Sequence, residues 1–151
     1  MRAVIWILMV LLFDVSFSPA ESIEDKAISL YNNGKKTEAL KLLEGADSER
    51  ALRLLIDYLT WENDVDRALR KIEIYEKKFG YEPEVAFRKA QLLAWSGKTV
   101  ESRKLLRELL KEKTSFFPDV VELIGFTYLW EGRKKDAEFY LSWAYDLGKS
   151  E

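Results

Sequence analysis

The chain contains no cysteine and no histidine. Without thiols there is no disulfide, no Cys nucleophile and no iron–sulfur ligation. Without imidazole, Ser-His catalytic pairs and ordinary zinc or haem sites fall away. Glycine and proline are scarce, 7 and 3 in 151 residues. There is no low-complexity linker, and no Gly-rich phosphate loop leads into a helix with Lys-Ser/Thr. No segment alternates with period two for long enough to argue for a strand. An excess of one charge is lacking too. Lys plus Arg number 24 against 26 Asp plus Glu, a net of −2, and the pI is near 5.5. That balance does not suggest a nucleic-acid partner. Runs such as Arg103-Lys104, Arg107 and Lys111-Glu112-Lys113 are interleaved with acids. They read as the wet face of a helix, with Arg103 pointing outward.

Long apolar runs are absent except at the start. Arg2 gives a short basic region, and Ala3 to Phe13 is an unbroken apolar run of 11 residues. That run is too short for a typical spanning helix. Ser18 and Ala20 then place small residues three and one positions before Glu21. Residues 1–20 therefore read as a secretory signal peptide, followed by one helical domain over 21–151. Because apolar residues continue to Phe17, a membrane anchor through residues 3–18 stands as the alternative. The expected location is extracytoplasmic, periplasmic or secreted, with no membrane contact after cleavage.

From Glu21 onward the chain repeats. Trp61-Glu62-Asn63, Trp95-Ser96-Gly97 and Trp130-Glu131-Gly132 share a frame, with Trp spacings of 34 and 35 residues. Seven positions after each Trp stands a small residue: Ala68, Ser102 or Ala137. A degenerate copy upstream has Asn32-Asn33-Gly34 and then Ala39. A period of this length signals a solenoid of supersecondary units. Apolar residues recur at helical spacing on both sides of each turn, as at Ala86, Ala90, Leu93 and Ala94, or Leu105, Leu106, Leu109 and Leu110. Gly34, Asn63, Gly97 and Gly132 accept the left-handed conformation that ends a helix. Pro83 and Pro118 suit a first helical turn, and Ser48 and Asp64 suit N-caps. Helices are expected near 22–32, 36–44, 48–61, 64–79, 83–95, 99–112, 118–130 and 134–147.

These residues resemble the tetratricopeptide repeat (TPR) family, with about four units. The last unit offers Ile124, Gly125, Tyr128, Ala137, Leu141 and Ala144 at the family's signature spacings. The third offers Ala90, Leu93, Gly97, Ser102 and Leu106; the second Ile56, Leu59, Asn63, Ala68 and Ile72; the first Ala27, Leu30, Gly34, Ala39 and Leu43. The resemblance implies an all-α, right-handed superhelical solenoid of antiparallel helix pairs. It also implies that the first helix of each unit lines a concave groove. The groove candidates are then Arg53, Asp57 and Trp61; Phe87, Arg88, Gln91 and Trp95; and Glu122, Phe126 and Trp130. Three tryptophans at one structural position would form a ladder that stacks on sugar rings or apolar peptide side chains, with the arginines engaging acidic groups. The alternative is that each Trp packs on the next unit and is architectural. The family's carboxylate clamp is not expected, since its Lys and Asn positions here carry Arg53, Asp57, Phe87 and Gln91.

Catalysis would have to come from Asp, Glu, Lys or Tyr. Only Asp57, between Ile56 and Tyr58, stands in an apolar setting, and it reads more simply as a solvated or Arg-paired groove residue. No catalytic residue, cofactor or metal site is expected. The last helix carries Phe139 and Trp143 four positions apart, on a different face from Leu141 and Ala144. With no later helix expected to cover them, they are candidates for a partner or self-association surface. The function expected is an exported scaffold or adaptor binding a protein or peptide. Two alternatives remain: a glycan-contacting accessory protein of exopolysaccharide assembly or export, and a membrane-anchored TPR assembly factor.

Overall fold

The structure, a computed structural model, describes residues 21–149. The proposed leader lies outside the described residues. Eight helices and no strand occur among them: α1 (Ile23–Asn32), α2 (Lys36–Glu44), α3 (Glu49–Trp61), α4 (Val65–Phe79), α5 (Pro83–Trp95), α6 (Thr99–Leu109), α7 (Phe117–Trp130) and α8 (Lys134–Gly148). These bounds lie within one residue of the expected ones except at α6, which stops at Leu109 instead of residue 112. The chain there turns through Lys113, at φ 47°, and sets the Phe116 ring 5.2 Å from that of Phe87. Burial of that ring outweighs the helical propensity of Lys111-Glu112-Lys113.

The four intra-unit turns are built alike. Gly34, Asn63, Gly97 and Gly132 all have positive φ, between 55° and 82°. The next residue's amide reaches back to the helix: Lys35 to Leu30 O, Asp64 to Leu59 O, Lys98 to Leu93 O and Arg133 to Tyr128 O, at 2.8–2.9 Å. This closure satisfies carbonyls that a bare helix end would leave unpaired, and it aims the second helix back along the first. Ser48 caps α3 by accepting from the Ala51 amide, and Asp64 caps α4 by accepting from the Arg67 amide.

Small residues sit where the paired helices cross. Ala39, Ala68 and Ser102 are fully buried and Ala137 nearly so. Ser102 differs by its hydroxyl, which donates to the Ala90 carbonyl at 2.7 Å. In the last unit the opposing residue is Gly125, where an added Cβ would stand 2.8 Å from Leu141 Cγ and Cδ2.

The first helices α1, α3, α5 and α7 pack on each other in sequence, whereas the backbones of the second helices stay apart and α2 and α4 are joined through the Arg67–Glu44 ion pair. The first helices therefore form the inner, concave layer. Two apolar clusters fill the molecule and meet at α5. Val85 and Leu92 join the cluster of α1–α4, and Ala86, Phe87, Ala90 and Ala94 join that of α6–α8.

Polar bridges close the seams between units unequally. Glu62, just after Trp61, accepts from Tyr31 and Lys36 of the first unit. Glu131, just after Trp130, accepts from Thr99 and Arg103 of the third. At the middle seam the corresponding residue is Ser96, whose hydroxyl only donates to its own helix at Leu93. The repeat positions matching Thr99 and Arg103 are there Val65 and Leu69, both packed on the core.

Candidate functional site

The inner helices place most of the groove candidates on one side. On α3, Arg53 and Asp57 are four apart; on α5, Arg88, Gln91 and Trp95 follow at three and four; on α7, Glu122, Phe126 and Trp130 step by four. Such spacings keep side chains on one helix face. Arg53 forms an ion pair with Glu84 across the middle seam. Arg88 reaches back over the same seam, its Nε donating to Asp57 at 2.6 Å and its Nη1 to Gln91 at 2.9 Å. Asp57 is thus held by an arginine.

Two clefts run along this face. One of about 330 Å³ lies between Arg53, Asp57, Glu84, Arg88, Phe116 and Asp119. The next, about 510 Å³, is lined by Gln91, Trp95, Glu122, Phe126 and Trp130, with Phe87, Arg88 and Asp119 shared between both. Phe87 forms floor more than wall, being only 7% exposed.

The tryptophans are half in solvent: Trp61 is 55% exposed, Trp95 46% and Trp130 51%. Trp95 and Trp130 face the same cleft, and Trp130 stacks on Phe126 with ring centroids 6.1 Å apart. Trp61 stands apart. Its ring lies 5.4 Å from Tyr58 and 6.1 Å from Tyr31, and Tyr31 in turn stacks on Tyr58 at 3.8 Å. The three rings are thus one pair sharing a cleft and one member of a separate aromatic cluster.

Arg103 departs from its expected place. It is 5% exposed, not outward-facing. Its Nη2 donates to both Glu131 oxygens, at 2.7 and 3.0 Å, and its guanidinium lies 4.4 Å from the Tyr128 ring centre. Arg133 stands 4.5 Å from the same ring, and Arg107 donates to the Tyr128 hydroxyl at 2.9 Å. The Arg103 hydrogen bonds, then that of Thr99, hold the Glu131 carboxyl below its ordinary pKa. Lys36 and Tyr31 do the same for Glu62. Burial, helped by the Glu62 carboxylate, pushes the Tyr31 hydroxyl up to about 12. One sequence signal pointed to this bridge: a Glu follows Trp61 and Trp130 alike.

On the last helix only Ala137 is buried. Leu141 packs against Gly125. Phe139 is 65% exposed and edge-on to Tyr140. Trp143 is half-buried, with its ring 5.7 Å from Phe117 at the start of α7. Phe139 and Trp143 together line a shallow cleft of about 620 Å³ with Lys135, Glu138, Ser142 and Asp146.

Among the described residues no group of acidic side chains is arranged to hold a metal ion, and no helix is long and apolar enough to cross a membrane.

No family model matches the chain, and no curated protein matches it. Solved structures do. The chain is similar to MamA AMB-1 at 19% identity over 94% of this chain and 81% of that one, with a TM-score of 0.68. It is similar to MamA MSR-1 at 17% identity over 95% of this chain and 85% of that one, with a TM-score of 0.71. At such identities the likeness concerns the fold, which is an all-helical, TPR-like solenoid.

Proposed function

We propose that the protein is an exported, non-enzymatic scaffold that holds an extended segment of a protein partner along the α5–α7 side of its groove. The observation that carries this reading is the pair Trp95 and Trp130. Both rings border one cleft on the concave face, yet both remain about half exposed. Rigid aromatic rings left open in a groove supply the large contact area that dominates interface energies. The arrangement also suits a sugar ring, and the exposed indoles are what favour glycan contact as a second reading.

Trp95→Ala is expected to weaken partner binding at least about tenfold, whereas Lys104→Ala, on the outer layer, leaves it unchanged. Calorimetric titration of a partner recovered from the envelope fraction measures this, with thermal melting to show that both variants fold. Unchanged affinity in Trp95→Ala sinks the groove reading. Export is tested separately. The intact mass of native material is expected to correspond to a chain beginning at Glu21, and a full-length chain held in the membrane would favour the anchored reading.

A further inference from the structure

The groove is not electrostatically uniform. In its middle part charges are matched: Arg53 meets Glu84, and Arg88 meets Asp57. Toward α7 the matching stops. Asp119 and Glu122 line the cleft beside Trp95, Phe126 and Trp130, both are exposed, and neither forms an ion pair or side-chain hydrogen bond among the described residues. The cleft's single cation, Arg88, is already engaged by Asp57 and Gln91. The first turn of α7 offsets part of the Asp119 charge through the helix dipole. Glu122 lies a turn further along, where that effect has faded. The aromatic rings add to the imbalance, because the face of an indole or phenyl ring is itself negative.

Unpaired carboxylates beside open aromatic faces recognise one chemistry, an organic cation on an apolar stem. Resting on the groove reading above, we infer that this cleft selects a basic segment. A lysine or arginine head meets Asp119 and Glu122, and its methylene stem lies across Trp95 or Trp130. Acidic segments are repelled at the same place, so the cleft discriminates by charge as well as by apolar contact.

The test uses synthetic peptides sharing one apolar framework, with Lys, Gln or Glu at the same positions, titrated against the protein by tryptophan fluorescence. At low ionic strength the Lys peptide is expected to bind about tenfold tighter than the Gln peptide, with the Glu peptide weakest and the preference shrinking as salt is added. In Asp119→Asn/Glu122→Gln the Lys peptide falls to the affinity of the Gln peptide. Both substitutions are on exposed positions, and a melting curve checks that the variant folds. Equal binding of Lys and Gln peptides, abolished by Trp95→Ala, overturns the cation preference and leaves the groove reading standing. A Lys preference that survives in the double variant also overturns it. Binding of a neutral polysaccharide with no response to any peptide removes both readings.

Discussion

Arg103 shows how a single side chain can be misjudged from its neighbours in sequence. It lies in a charged run that reads as solvated, and its partner Glu131 is 28 residues away. No local periodicity reveals such a pairing, because the bond crosses a seam between units. Removing the side chain leaves Glu131 without its main donor and opens a gap under Tyr128. Arg103→Ala is expected to cost about 1–3 kcal/mol in urea unfolding, against a few tenths for the exposed Lys104→Ala. The Glu131 carboxyl, held below its ordinary pKa, adds a pH dependence. Because its folded pKa is depressed, its stabilisation is fully present above the ordinary carboxyl range and is lost as pH falls through the folded value. The melting temperatures of wild type and Glu131→Gln should therefore converge on acidification below that range. A gap that stays constant with pH would contradict the bridge. The crossing of α7 and α8 is equally local. Gly125→Ala or Ala137→Leu should each cost about 1–3 kcal/mol, since neither site has room for added carbon.

At the scale of the element, the helices were legible because their apolar periodicity and their turn residues agree. The positive φ at Asn63 and at the three matching glycines is the backbone requirement that the repeated residues announced. The end of α6 was not legible, because it depends on where Phe116 finds its packing partner Phe87. The groove side of α5 and α7 was implied by the TPR resemblance, but the separation of Trp61 from the other two rings was not. Tyr31, which lies near its ring, comes from a unit that lacks a tryptophan. Helix α8 buries Ala137 alone, with Phe139 and Trp143 beside a shallow cleft. An open aromatic face of this kind fits association of one copy with another or docking of a partner. Sedimentation at rising concentration is expected to show wild-type dimers that Phe139→Ser/Trp143→Ser does not form. A wild type that stays monomeric throughout would restrict this face to partner docking.

For the whole molecule, the division of the core at α5 matters most. Repeat proteins are held by nearest-neighbour contacts, so their parts open separately when one seam is weaker. Hydrogen exchange under mildly destabilising conditions should therefore show the amides of α1–α4 and those of α6–α8 as two groups with distinct opening energies. One common opening energy would mean that α5 welds the clusters together. The middle seam also differs in kind. Where the outer seams carry Glu62 and Glu131, it has Ser96, and its cross-unit ion pairs lie on the groove side or between α4 and α5. This gives the molecule a mechanical grain. Pulled from its two ends in a force-extension experiment, the chain would yield first between α4 and α5. It would lengthen in two steps, and a segment lying in the groove across that seam would act as a splint that raises the force of the first.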